Sequence, residues 1–330
     1  MLGLAINSID PAYNLALEDV LFSQLTPHVP GYFLLWQNAP SIIVGKHQNT
    51  HAEINASLVE HYALPVVRRQ TGGGAVYHDL GNLNFSFLVP AGQSSLGGVL
   101  NFARFLNPIR DVLHTLGVQA ELSSRNDLTL AGRKISGSAQ LRSKQGILHH
   151  GTLLVSLDLA MLGAVLMGAP DKFLSKGIAS VRSRVTNIAE HAPMLTMEVL
   201  KQALLHGCAE GTALVDARIH AEAQALAARK YASWDWNFGA SPQFTHSWRQ
   251  RFAWGALEVC YTVVHGHITA CRLFGDYFSQ ADVADVEQLC LGVPYQRQAL
   301  ARAWENLDLS LYFSGCEGRE VRNFLCAEVG

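Results

Sequence analysis

No cysteine precedes Cys208 in this chain of 330 residues; the six are Cys208, Cys260, Cys271, Cys290, Cys316 and Cys326. None of them form a C-x-x-C pair, so a zinc ribbon or a dithiol redox site is not indicated, and the thiols read as reduced core or surface groups. Charge of one sign is also lacking. Lys plus Arg number 25 against 27 Asp plus Glu, a formal net charge of −2. Proteins that hold a nucleic-acid backbone or an anionic membrane surface depend on a cationic excess, so no nucleic acid and no membrane is expected as partner. The opening MLGLAINSIDPAYN has neither the basic head nor the unbroken apolar stretch of a signal peptide, which predicts a cytoplasmic protein. The most apolar run, Leu153 to Ala169, is interrupted by Asp158 and Gly163. It divides into a strand and a helix capped by Asp158 instead of forming a membrane span.

What is present is the composition of a folded protein: 49% hydrophobic, 9% aromatic and 16% charged residues, at a length that suggests two domains with cores of their own. Tyr13 to Gln24 has helical spacing of apolar residues, with Glu18 and Asp19 expected on a solvated face. GYFLLWQ and SIIVGKHQ, separated by Asn38-Ala39-Pro40-Ser41, read as an antiparallel strand pair. A helix over about Ile54 to His61 leads into the strand VVRRQT. NLNFSFLV alternates through Leu83, Phe85 and Phe87 and reads as a half-buried strand, followed by an amphipathic helix from Leu100 to Leu116. Strands then recur in sequence neighbours between Val118 and Ser156, with a turn at Ala131-Gly132, and helical patterns fill Asp158 to Lys230. This is the signature of an α+β antiparallel or mixed sheet. Four of the six tryptophans fall between Trp234 and Trp254, marking a domain junction. Beyond it, two strands flank a hairpin turn at His265-Gly266, and helices around Val283 to Leu291 and Gln298 to Leu307 complete a small α/β unit.

Two segments carry chemistry. In Arg68-Arg69-Gln70-Thr71-Gly72-Gly73-Gly74-Ala75-Val76-Tyr77-His78-Asp79, three glycines after a strand let the backbone approach a ligand and present N–H groups to phosphate or carboxylate oxygens, with the arginines as charge-assisted donors. The segment satisfies neither the Walker A nor the G-x-G-x-x-G pattern. Alone it is equally a flexible hairpin tip. In Asn126-Asp127-Leu128-Thr129-Leu130-Ala131-Gly132-Arg133-Lys134-Ile135-Ser136-Gly137-Ser138-Ala139, a lysine among small residues can reach a carboxylate and a phosphate together, and Asp127 is a candidate oxygen ligand for Mg²⁺. The bland counterpart is a solvated Arg-Lys tip. Fourteen histidines contain no H-E-x-x-H, and His149 and His150 point to opposite faces of a strand. His78 and Asp79 read as groups that brace the glycine loop, and the tryptophan cluster as interdomain packing.

Taken together with HHGTLLVS, KGIASVRSRVTN and SWDWNFGASPQFTH, the two segments make the chain resemble bacterial lipoate-protein ligase A along nearly its whole length. The resemblance implies the biotin/lipoate ligase catalytic fold, related to class II aminoacyl-tRNA synthetase cores, over residues 1–246, and a small accessory domain over 247–330. It implies ATP contacts at Arg69, Gly74, Ala75, Val76, Tyr77, Asn126, Asp127 and Lys134. Lipoate contacts are implied at Arg69, Gly74, His78, Lys134, Ser136, Gly137 and His150, with Lys134 catalytic and Mg²⁺ near Asp127. Tyr77 stands where the family usually has Phe, and an arginine is shifted by one position at Leu141-Arg142, which bears on pocket polarity.

The implied reaction joins lipoate and ATP into lipoyl-adenylate and pyrophosphate. A lysine of an apo lipoyl domain of a 2-oxoacid dehydrogenase complex, or of glycine-cleavage H-protein, then attacks to give an amide and AMP. Octanoate is a second acyl substrate, and a monomer is expected. Lys134 is assigned an electrostatic role, because a lysine acyl-enzyme would be a stable amide. An ATP-independent octanoyl or lipoyl transferase needs a cysteine, and the pocket segments all precede Cys208. A lipoate or nucleotide sensor is the non-enzymatic alternative.

Overall fold

The computed structural model describes residues 1–92, 101–123, 126–166, 183–238, 245–327 and 329. Of the runs read above, Leu100, residues 124–125, residues 167–182 and residues 239–244 lie outside the described residues. The strands are β1 (Leu2–Ala5), β2 (Tyr32–Trp36), β3 (Ser41–Val44), β4 (Val66–Arg68), β5 (Val76–His78), β6 (Asn82–Pro90), β7 (Glu121–Leu122), β8 (Asp127–Leu130), β9 (Arg133–Ser143), β10 (Gly146–Leu154), β11 (Gly211–Thr212), β12 (His246–Phe252), β13 (Gly255–Val264) and β14 (His267–Gly275). An eight-stranded mixed sheet runs in the order β11-β1-β2-β6-β10-β9-β8-β7, beside two three-stranded sheets, β4-β3-β5 and β12-β13-β14. This is the α+β class.

The meander from β8 to β10 follows from local turn chemistry: Ala131 and Gly132 turn with φ of +50° and +75°, a left-handed pair suited to a two-residue hairpin. His265 and Gly266 do the same, with φ of +50° and +77°, between β13 and β14. Asp158 accepts from the N–H groups of Ala160 and Met161 and so caps the helix Leu159–Val165, as its sequence position implies.

Three expectations are corrected. The strands β2 and β3 do not pair with each other. β2 lies between β1 and β6, whereas β3 pairs with β4 and β5 in the second sheet. The connection is no hairpin, because Asn38 is buried and bonded to Asn14 and His78. The strand β6 is buried on both faces. Leu83, Phe85 and Phe87 pack with Phe105 and Ile109 of the helix Ala103–Thr115, while the alternating polar residues Asn82, Asn84 and Ser86 are closed in on the opposite face. Finally, Glu18 does not face solvent. Helix α1 (Pro11–Ser23), capped by Asp10 and opened by Pro11, buries Glu18 together with Leu15 and Phe22; the neighbouring Asp19 is half-buried against Lys230 and Tyr231.

Residues beyond Phe252 enclose a separate core around Trp304, Tyr261, Tyr277 and Phe313, with helices Ala284–Gln288, Arg297–Ala303 and Gly318–Leu325. This unit docks through the segment after β14. His47 stacks on Tyr277 with ring centroids 4.9 Å apart and meets Ser279 Oγ at 3.1 Å. The N–H of Gly275 donates to the His47 carbonyl at 2.7 Å, and Phe278 joins the N-terminal core beside Phe102.

Candidate active site

The loop between β4 and β5 is built around its two arginines. Arg68 donates to the carbonyls of Gly45, Lys46, Gln48, Trp236 and Asn237 and to Thr50 Oγ1. It thereby bolts the loop after β3 to the tryptophan-rich segment. Arg69, buried, donates Nε–H to Thr71 Oγ1 at 3.0 Å and Nη2–H to the carbonyls of Gly72 and Gly74 at 2.7 and 2.8 Å. Burial lowers its guanidinium to about 10 while Glu18 acts in the opposite direction, so it stays charged at neutral pH. Gly73 turns with φ +89°, and a Cβ there would lie 3.0 Å from Arg69 Nη2; no larger residue keeps this loop and this arginine together.

Beside the loop lies a cavity of about 310 Å³ lined by Leu15, Trp36, Ile43, Arg69, Gly73 to Val76, His78, Asn84, Asn126, Asp127, Lys134, Gly137 to Ala139, His150, Gly151 and Thr152, with Arg251, Gly255, Asp276 and Phe278 added from the C-terminal unit. A second cavity of about 360 Å³ shares Ala75, Val76, Lys134, Gly137 and Thr152 with it and continues over Tyr77, Asn82, Leu154, Leu157, Leu162 and Leu166. Lys134 stands where the two meet. Its Nζ lies 2.8 Å from Asp127 Oδ1, both side chains being partly exposed. Gly137 makes room for it: a Cβ on Gly137 would meet Lys134 Nζ at 2.8 Å and Cε at 2.9 Å.

Of the residues singled out from sequence, Arg69, Gly74, Ala75, Val76, His78, Asn126, Asp127, Lys134, Gly137 and His150 come together around the first cavity. Tyr77 lines the second; burial, aided by Asp79 and Asp158, pushes its phenol up to about 12. Ser136 lines neither cavity and is fully buried. The register between β8 and β9 slips at Leu128/Thr129, where Leu128 faces Ser136 but Thr129 faces Lys134. The extra residue is a bulge that reverses the alternation of faces, which puts Lys134 and Gly137 on the cavity side and Ser136 off it.

Sequence reasoning missed Leu15, Trp36 and Ile43 in the wall, the C-terminal residues, and Glu18 behind it. His78 accepts from Asn38 on Nδ1 at 3.1 Å, which leaves the proton on Nε2. That nitrogen and Asn84 Nδ2 are buried and have no partner among the described residues, so the cavity offers donors for polar ligand atoms. Burial, then the Arg69 charge, lowers His78 to about 3. Among the described residues, no three His, Cys, Asp or Glu side chains cluster as a metal site, and no cysteine lines either cavity.

The fold is that of the lipoyl-protein ligases. Residues 10–209 match the lipoyl protein ligase A/B catalytic domain family and residues 241–325 the bacterial lipoate protein ligase C-terminus family. The chain belongs to the lipoate-protein ligase family. It is 42% identical over 316 residues to lipoate-protein ligase LplJ of Bacillus subtilis, covering 93% of this chain and 94% of that one. To lipoate–protein ligase 1 of Staphylococcus aureus it is 38% identical over 320 residues, covering 96% of each. Among solved structures, Plasmodium falciparum LipL1 in complex with lipoate superposes with a TM-score of 0.78 at 26% identity over 99% of both chains. The bi-partite ligase of Thermoplasma acidophilum, described with its E2 lipoyl domain, gives 0.68 at 26% identity over 74% of this chain and 98% of that one. A lipoate-protein ligase A bound with ATP gives 0.61 at 25% over 72% of this chain and 99% of that one.

Proposed function

We propose that this protein is an ATP-dependent lipoate-protein ligase that makes lipoyl-AMP and passes the lipoyl group to a lysine of apo lipoyl domains and of H-protein. The observation that carries this reading is the meeting of two cavities at Lys134. One is walled by Leu15, Trp36 and Ile43 at one end and by Gly73 and Gly74 at the other, and its apolar end suits an acyl chain; the second begins at Ala75 and Val76, just after the glycines, runs on past Tyr77, and suits the nucleotide. Relatives bound to lipoate and to ATP support both assignments. The site residues are those named from sequence, Ser136 acting from behind the wall. The catalytic domain ends near residue 246 and residues 247–330 form the accessory domain. The enzyme is cytoplasmic and monomeric.

In the first step an oxygen of the lipoate carboxylate attacks the α-phosphorus of ATP, the new C–O–P linkage forms, and the bond to the β-phosphate breaks with pyrophosphate as leaving group. Two anions must approach, and Lys134 offsets their repulsion by swinging its ammonium from Asp127 to the oxygens of both. Backbone N–H groups of the glycine loop hold the phosphates in line. Mg²⁺ fits this site as a companion of the nucleotide, with Asp127 and phosphate oxygens as ligands, since a single carboxylate plus phosphates is a common donor set for it. When bound it supplies further charge neutralisation at the phosphates. In the second step the acceptor amine attacks the lipoyl carbonyl, the C–N bond forms, the C–O bond to AMP breaks, and the amine proton is released. No thioester is involved: no cysteine is among the residues lining either cavity, and burial raises the Cys208 thiol to about 12.

The test is intact-mass analysis of an apo lipoyl domain incubated with the protein, lipoate, ATP and Mg²⁺. A gain of one lipoyl group that requires ATP is expected; an unchanged mass with folded reagents refutes the reading.

A further inference from the structure

Glu18 has no role in the mechanism above, yet it is an ionisable side chain at 3% exposure set behind the cavity. Its carboxylate accepts from Ser86 Oγ at 2.6 Å, and Ser86 Oγ accepts from Trp36 Nε1 at 2.9 Å. On the other side, His150 Nδ1 lies 3.0 Å from both carboxylate oxygens. His150 Nε2 lies 2.7 Å from Thr71 Oγ1, the same oxygen that receives Arg69 Nε–H. Only one assignment gives every proton an acceptor. Arg69 donates to Thr71, Thr71 donates to His150 Nε2, and neutral His150 donates from Nδ1 to Glu18. The chain runs one way, from the glycine loop to the helix α1.

We infer that Glu18 is a positioning residue for adenylation: through His150 and Thr71 it fixes the Arg69 guanidinium that holds the glycine loop, and it supplies the counter-charge of that buried arginine. The inference rests on the ligase reading and deepens it. Among the described residues Arg69 makes no ion pair of its own; its donors go to carbonyls and a hydroxyl, and the negative charge acting on it is Glu18. Glutamine at position 18 keeps one acceptor oxygen but sets an NH2 donor where Oε2 stood 3.0 Å from His150 Nδ1, donor against donor; the chain through Thr71 loosens and the arginine loses its counter-charge. The loop that orients the triphosphate is set free although no residue touching substrate has changed.

The experiment measures lipoate-dependent ATP–pyrophosphate exchange in E18Q, T71V and E18Q/T71V, with KM for ATP and kcat separated and folding followed by thermal unfolding. Each single variant should lose roughly ten- to a hundredfold in kcat/KM for ATP, and the double variant should lose no more than the worse single one, because both cut one chain. A purely structural Glu18 would lower the melting temperature and give penalties that multiply. Wild-type exchange in folded E18Q, or multiplying losses in the double variant, overturns the inference. If E18Q does not fold, T71V alone decides, and wild-type kinetics there overturns it. A wild-type protein that exchanges no pyrophosphate would instead defeat the ligase reading itself.

Discussion

His149 faces away from the site, into a box of phenylalanines: the ring of Phe105 stacks on it at 4.6 Å, and Phe102, Phe85 and Phe87 stand at 5.7, 6.1 and 6.3 Å. Neither ring nitrogen has a hydrogen-bond partner among the described residues. Burial holds its pKa well below the ordinary 6.5. The folded protein therefore keeps this ring neutral where the unfolded chain protonates it. Since the unfolded state then binds more protons, stability is full above about pH 6.5 and falls as the pH drops below it. At pH 5 the loss from this one residue is about 2 kcal/mol, at about 1.4 kcal/mol for each pH unit. His47 and His78, both lowered to about 3 by burial, act in the same direction. Glu53 and Glu287, raised by burial, act in the opposite one. The His149→Phe variant isolates the single contribution: any cost of fitting a larger ring is independent of pH and cancels in the difference. Urea unfolding at pH 7 and pH 5 should show wild type losing about 2 kcal/mol more than the variant over that interval. Equal losses would mean that the ring is already protonated or finds an acceptor, and the argument fails.

Three further outcomes follow from the site. Lys134→Ala should fold normally and lose at least about a hundredfold in pyrophosphate exchange, as removal of one charge-stabilising group does elsewhere; near-normal exchange would remove Lys134 from the centre of the mechanism. Gly137→Ala, whose new Cβ falls 2.8 Å from Lys134 Nζ, should push the ammonium out of line and cost about tenfold or more in adenylation with little change in melting temperature. A crystal structure of that variant with Lys134 unmoved would contradict the steric argument. Cys208→Ala should transfer lipoate at the wild-type rate; abolished transfer with a normal fold would revive a thioester route.

The parts of this structure that the sequence made legible are those decided by local chemistry. The left-handed pairs at Ala131-Gly132 and His265-Gly266 had to be turns, Asp158 had to be a cap, and the glycine loop beside Arg69 and the segment holding Lys134 among small residues, singled out together, line one cavity. The parts that were not legible share one physical cause. Periodicity states that two faces of an element differ; it does not say that the polar face meets water. In β6 the polar set Asn82, Asn84 and Ser86 lies on the face that is enclosed with the cavity. In α1, Glu18 sits three residues after Leu15 and four before Phe22, both buried, so the helical period itself assigned it to the apolar stripe. Its charge was read as solvent exposure when it marked the reverse. A carboxylate placed on a core stripe costs several kcal/mol unless it is bonded on every side; here it is met by Ser86 and His150. Such a residue persists where something else depends on it, and in this fold the dependent group is the arginine that shapes the glycine loop. The bulge that turns Ser136 off the cavity and the Arg251, Asp276 and Phe278 contributions are different in kind, since register slips and docking between distant segments are set by tertiary contacts that no local pattern encodes.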